Sequence, residues 1–173
     1  IYILGLWFAI IFGYNLSIGK FNREQVFTTL SYVFLLSGVL TALIAICQWL
    51  NLDDVLPGIT RLVNARPYAN FAQPNNMATF LLMALLACLY LYEKQKIKTS
   101  ILVSCAFVML ISLALSQSRT SWVACACILV YLGYQQFKGQ ITIKWYAVTA
   151  WLAVFVGLIF LFPVLGTYLS QFS

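Results

Sequence analysis

The sequence predicts an all-α fold: a polytopic helical membrane protein of about six transmembrane helices with one long outer loop. Three observations predict it. Hydrophobic residues make up 63% of the 173 residues and charged residues only 8%, whereas a soluble domain is about half apolar and about a quarter charged. The apolar residues form six long runs broken by short polar stretches. Those runs lack the period-2 alternation of a membrane barrel, and helices are the form that satisfies its own backbone in lipid. No repeat or low-complexity linker divides the chain, so 1–173 reads as a single transmembrane region.

The first run, Ile1–Gly19, has no charged flank before it and is not a standard signal peptide. Val26–Leu50 is a long second span. Met77–Tyr92 is short and borrows a turn from its polar flank. Thr99–Ser116 and Thr120–Phe137 are divided only by Ser116-Gln117-Ser118-Arg119-Thr120-Ser121, which predicts a tight helical hairpin. One continuous helix there would far exceed the roughly 20 residues a crossing needs. Trp145–Pro163 completes the set, and the tail Val164–Ser173 follows it. Both ends read as cut from a longer protein.

The net charge of +6 rests on ten basic residues. Alternate connections hold Lys20 and Arg23, then Lys94, Lys96 and Lys98, then Lys138 and Lys144. The others hold only Arg61, Arg66 and Arg119. The positive-inside rule makes the first set cytoplasmic, so the basic excess needs no nucleic-acid partner. Trp49 and Trp122 then fall at outer ends, and Tyr90, Tyr92, Tyr134, Trp145 and Tyr146 at inner ends, as interface aromatics do. All five cysteines (Cys47, Cys88, Cys105, Cys125 and Cys127) lie within apolar runs. Their odd count, with no His in the chain and no C-x-x-C, predicts packing residues, no disulfide framework and no metal site.

The long outer connection, Asn51–Asn76, is where chemistry is expected. Asn75 or Asn76 is the expected cap of the third helix, and Ser118, Thr120 or Ser121 of the fifth. Two helix N-termini then face outward beside Arg66 and Arg119, an arrangement suited to a phosphate or pyrophosphate. The bland reading stands beside it: both arginines fit snorkelling to the interface, the asparagines fit simple capping, and Asp53 and Asp54 fit loop solvation as well as an acid/base pair. Gln73 is harder to dismiss, since a cap needs no such amide. The carboxylates Glu24, Asp53, Asp54 and Glu93 all fall outside the spans. An ion-coupled transporter, which buries ionisable groups at membrane depth, is disfavoured accordingly.

The segment Asn64-Ala65-Arg66-Pro67-Tyr68-Ala69-Asn70-Phe71-Ala72-Gln73-Pro74-Asn75-Asn76-Met77-Ala78-Thr79 resembles the signature of the O-antigen ligase superfamily. It is most like the pilin-type protein O-oligosaccharyltransferase branch, where Arg-x-x-Gly leads to Gln-Pro-Asn before a helix. Ser116-Gln117-Ser118-Arg119-Thr120-Ser121-Trp122 resembles the Ser-Arg motif on the next outer hairpin. The resemblance implies a multispanning bacterial inner-membrane glycosyltransferase, active on its periplasmic face without cofactor or metal. Such an enzyme moves a glycan from undecaprenyl-pyrophosphate to Ser or Thr of a periplasmic protein, or, in the ligase branch, to lipid A-core. By the resemblance, Arg66 and Arg119 hold the pyrophosphate, while Gln73 and Asn75 shape the donor site. Ala69 departs from the family's Gly, and Asn76 stands where His is frequent. The family's essential His lies in a later periplasmic loop, so the chain is expected to be a fragment whose catalytic group lies downstream. O-antigen ligase or polymerase, a lipid-linked oligosaccharide flippase, and a structural membrane subunit are the alternatives.

Overall fold

The computed structural model describes residues 10, 11, 13–15, 17–19, 22–52, 66–71, 73–139, 149–151, 153–158, 160 and 161. Among the described residues regular structure is entirely helical. Four helices carry the fold: α1 (Arg23–Trp49), α2 (Pro74–Glu93), α3 (Thr99–Leu115) and α4 (Arg119–Phe137). Further helical residues occur within 10–17 and over Thr149–Leu158. Asp53, Asp54 and Arg61 lie outside the described residues, as does most of the first predicted span.

α1 begins at Asn22, whose Oδ1 accepts from the N–H groups of Glu24 at 3.0 Å and Gln25 at 3.4 Å. That cap satisfies two donors a helix start leaves unpaired, and Glu24 complements the positive dipole end. Twenty-seven residues make α1 about 40 Å long. The helix ends in a Schellman motif, with Leu52 N–H bonded to Cys47 O and Asn51 at φ 53. α2 ends likewise through Lys96 N–H on Leu91 O, with Gln95 at φ 56. By length and composition, α1 and α2 are both able to cross a membrane.

Periodicity sets the packing. α1 buries Ser31, Leu35, Gly38, Ala42, Ala45 and Gln48, a stripe of mostly small side chains at three- and four-residue steps. α2 buries Met77, Leu81, Ala84, Cys88 and Leu91, each with no exposed surface. α1 packs on both α2 and α3, and α2 packs on α3 and α4. A Cβ on Gly38 would overlap that of Ala84 and come within 3.2 Å of Met109 Sδ, so the missing side chain is what lets three helices meet. Nearby, Ser112 Oγ donates to Ala42 O across the α3–α1 seam at 2.8 Å. The outward faces are as apolar as the core: Leu36 is 64% exposed and Val130 74%.

One sequence expectation needs correcting in detail. The third predicted span starts at Pro74, with Gln73 as its N-cap, so Asn75 and Asn76 sit in the first turn and do not cap it. Pro74 explains the shift, because its missing N–H costs nothing at the first helical position and its φ is already helical. The break between the fourth and fifth spans falls at Ser116–Ser118, as the sequence indicates, and α4 packs chiefly on α2.

Candidate functional site

The C-terminal turns of α1 and α3 and the first turns of α2 and α4 converge with the segment 66–71. Gln48, the last buried residue of the α1 stripe, organises this end. It is 1% exposed. Its Oε1 accepts from Tyr68 N–H at 3.1 Å and Ala69 N–H at 2.8 Å, while its Nε2 donates to Ala69 O at 3.0 Å. Phe71 N–H then bonds Tyr68 O at 2.9 Å, closing a turn with Ala69 at φ 50. Residues with a Cβ seldom adopt this left-handed conformation. The bend that a glycine would favour is therefore made with alanine, under the hold of a buried amide. Pro67 is fully buried beneath the turn, and Phe71 stacks obliquely on Phe80 with centroids 5.0 Å apart.

This anchored turn presents Arg66. The half-buried side chain sends Nη1 to Gln117 O at 3.3 Å. Gln117, at φ 47, is the reversal point between α3 and α4. The two sequence motifs, 51 residues apart, thus meet through a guanidinium and a turn carbonyl. One such bond occupies one of five guanidinium donors. Arg119, two residues on, is exposed at the start of α4. Among the described residues neither arginine has a carboxylate partner; the ion pair described is Lys94 with Glu24, at the other end of the bundle.

Gln73 and Asn75 are exposed at the start of α2. Gln73 takes the N-cap position, but only its carbonyl is used, accepting Met77 N–H at 3.2 Å. Thr79 Oγ1 donates to Asn75 O at 3.0 Å. The cap side chain of α4, Ser118, likewise makes no capping bond. Two uncapped helix starts therefore share this end with two arginines, a positive field without a formal anion among the described residues. Below it the serines interlock: Ser116 Oγ bonds Leu113 O, Ser118 N–H bonds Ser116 Oγ, and Ser121 Oγ bonds Ser118 O. These fix the backbone that carries Gln117 and Arg119. No group of three or more His, Cys, Asp or Glu side chains comes together among the described residues.

The structure therefore joins Arg66 to the Ser-Arg motif, sets Gln73 and Asn75 on the same end, and adds Gln48, which the sequence reading missed. In sequence it is one polar residue in an apolar run, and its place three residues after Ala45 on the buried stripe of α1 is seen only in the fold.

The likeness to known proteins takes in this region and most of the chain. Residues 67–92, the turn and nearly all of α2, match the family described as protein glycosylation ligase. Over 162 residues, 94% of this chain, the sequence is 46% identical to a general O-oligosaccharyltransferase of Acinetobacter baylyi. A ComP-specific O-oligosaccharyltransferase of the same organism is 26% identical over 161 residues, 92% of the chain. The chain spans 28% of the length of each relative. No solved structure matches it.

Proposed function

We propose that the chain belongs to the protein O-oligosaccharyltransferase branch of the O-antigen ligase superfamily, a reading the matches support, and that it forms the donor-binding part of a membrane glycosyltransferase. The enzyme moves a glycan from undecaprenyl-pyrophosphate to a Ser or Thr hydroxyl of a periplasmic protein. In this reading the chain crosses the bacterial inner membrane six times. The Arg66 end faces the periplasm, and the end with Glu24, Lys94 and Lys96 faces the cytoplasm. The apolar outward faces of α1 to α4 then meet lipid.

The observation that carries the proposal is the Arg66–Gln117 bond, which gathers both motifs at one end of the bundle. Departure of a pyrophosphate builds negative charge on its oxygens, and preorganised donors lower that barrier more than water can. Arg66 offers a planar fork whose orientation is set by its bond to Gln117, and Arg119 a second cation. The first turns of α2 and α4 add backbone N–H groups, with the exposed amides of Gln73 and Asn75 beside them. The acceptor hydroxyl must lose a proton during transfer, and that role belongs to a group outside this constellation. The matching family's description, protein glycosylation ligase, favours a protein acceptor over a lipid one.

The test is transfer by the full-length protein carrying Arg66→Lys. A bidentate fork is not replaced by a point charge, so transfer should fall by on the order of 10-fold or more at unchanged membrane expression. Near-normal transfer would refute the donor-site role of Arg66.

A further inference from the structure

We infer that Gln48 is a positioning residue of the donor site: its buried amide holds Ala69 in the left-handed turn that sets Arg66 against Gln117. The inference rests on the donor-site reading and adds to it a residue that touches no substrate.

The geometry requires both ends of the amide. Oε1 takes two successive backbone N–H groups, Tyr68 and Ala69, and Nε2 returns a bond to Ala69 O. Both polar groups of the one residue at positive φ in this segment are thus tied to a single side chain. Alanine at φ 50 is strained, and such strain persists only where its surroundings impose it. Gln48 is the group that imposes it, from a rigid helix and from a site 1% exposed. Burial strengthens the hold, since no water competes for those partners. Three residues upstream of Ala69, the chain must deliver the Arg66 guanidinium to a carbonyl 51 residues away. Losing the clamp frees Ala69 to return to negative φ, which rotates the backbone leading to Arg66 and aims the fork away from Gln117. Glycine at 69 adopts the turn unaided, so it should make Gln48 less necessary.

The experiment uses the full-length protein with Gln48→Met, which keeps length and volume but removes both amide functions. Hydrogen exchange of the peptide containing Tyr68 and Ala69 reports the clamp, and steady-state transfer reports its use. Exchange should accelerate. KM for the lipid-linked donor should rise on the order of 10- to 100-fold, the scale of an ångström's misplacement, while KM for the acceptor stays. Adding Ala69→Gly should recover most of the donor KM, an outcome that simple loss of packing does not give. Should the Met variant not accumulate, Gln48→Glu, which cannot donate to Ala69 O when ionised, is measured with the same rescue. Accelerated exchange with unchanged donor KM, or a double variant no better than the single, overturns the role of Gln48. Arg66→Ala, run in parallel, separates the two readings. If it raises donor KM and Gln48→Met does not, only this inference fails; if neither does, the donor-site reading fails and takes the inference with it.

Discussion

Gly38→Ala and Gly133→Ala are the same chemical change in two helices and should act with opposite sign. In α4, a Cβ on Gly133 meets nothing within 4 Å. The substitution there gains only helix propensity, about 1 kcal/mol of stability. In α1, a Cβ on Gly38 overlaps the Cβ of Ala84 and lies 3.2 Å from Met109 Sδ. The methionine can swing aside, but the Ala84 methyl is fixed to the α2 backbone, so the helices must separate. Overpacking of this kind costs about 1–3 kcal/mol, which outweighs the propensity gain when the obstacle is rigid. The expected net loss is up to about 2 kcal/mol, giving a gap of about 1–3 kcal/mol between the two variants. SDS-titrated unfolding in detergent micelles, followed by far-UV circular dichroism, measures it. Ala84→Gly should restore Gly38→Ala by removing the methyl it strikes. If both glycine variants stabilise, or the second substitution gives no recovery, the α1–α2 approach described here is wrong.

Other outcomes follow from the same architecture. Ser112→Ala removes the bond to Ala42 O and should destabilise by about 0.6 kcal/mol and no more than about 1.7, the range of polar contacts between membrane helices, measured by the same titration. In a cysteine-free full-length protein in intact cells, a single cysteine at Asn70 should react with a membrane-impermeant thiol reagent and one at Lys96 should not. Labelling at Lys96 from outside would invert the proposed orientation.

Much of the fold was legible because lipid-compatible sequence leaves few polar residues, and those present mark the ends of helices. Asn22, Asn51, Gln95 and Gln117 each stand where a helix starts or stops. Arg66 and Arg119 stand out in sequence as arginines beside two helix starts, and the structure sets Arg66 against Gln117 and Arg119 in the first turn of α4. What the residues alone did not reveal are relations across distance. Gln48 looks like one polar residue inside an apolar run, and its partners are 20 and 21 residues away. Ala69 gives no local sign of positive φ, because that conformation is imposed by tertiary bonds and not by propensity. The Pro74 start was missed because asparagine is the stronger cap by type, whereas proline at the first helical position fixes the register. The choice of α2 as the partner of α4 was equally out of reach. α4 is apolar on every side, and no stripe tells which neighbour it meets.

The central claim is that the end of the bundle holding Arg66, Gln117 and Arg119 binds the pyrophosphate of a lipid-linked glycan. The most direct test is photocrosslinking of the full-length protein in membranes with a polyprenyl-pyrophosphate glycan carrying a photoreactive group beside the pyrophosphate. The adducts are then mapped by mass spectrometry, with and without unlabelled donor as competitor. The account predicts competed adducts in residues 66–75 and 117–122, lost in Arg66→Ala. Adducts at the opposite end, in the polar pocket lined by Asn22, Glu24, Gln25, Thr28, Thr29 and Lys96, would contradict it.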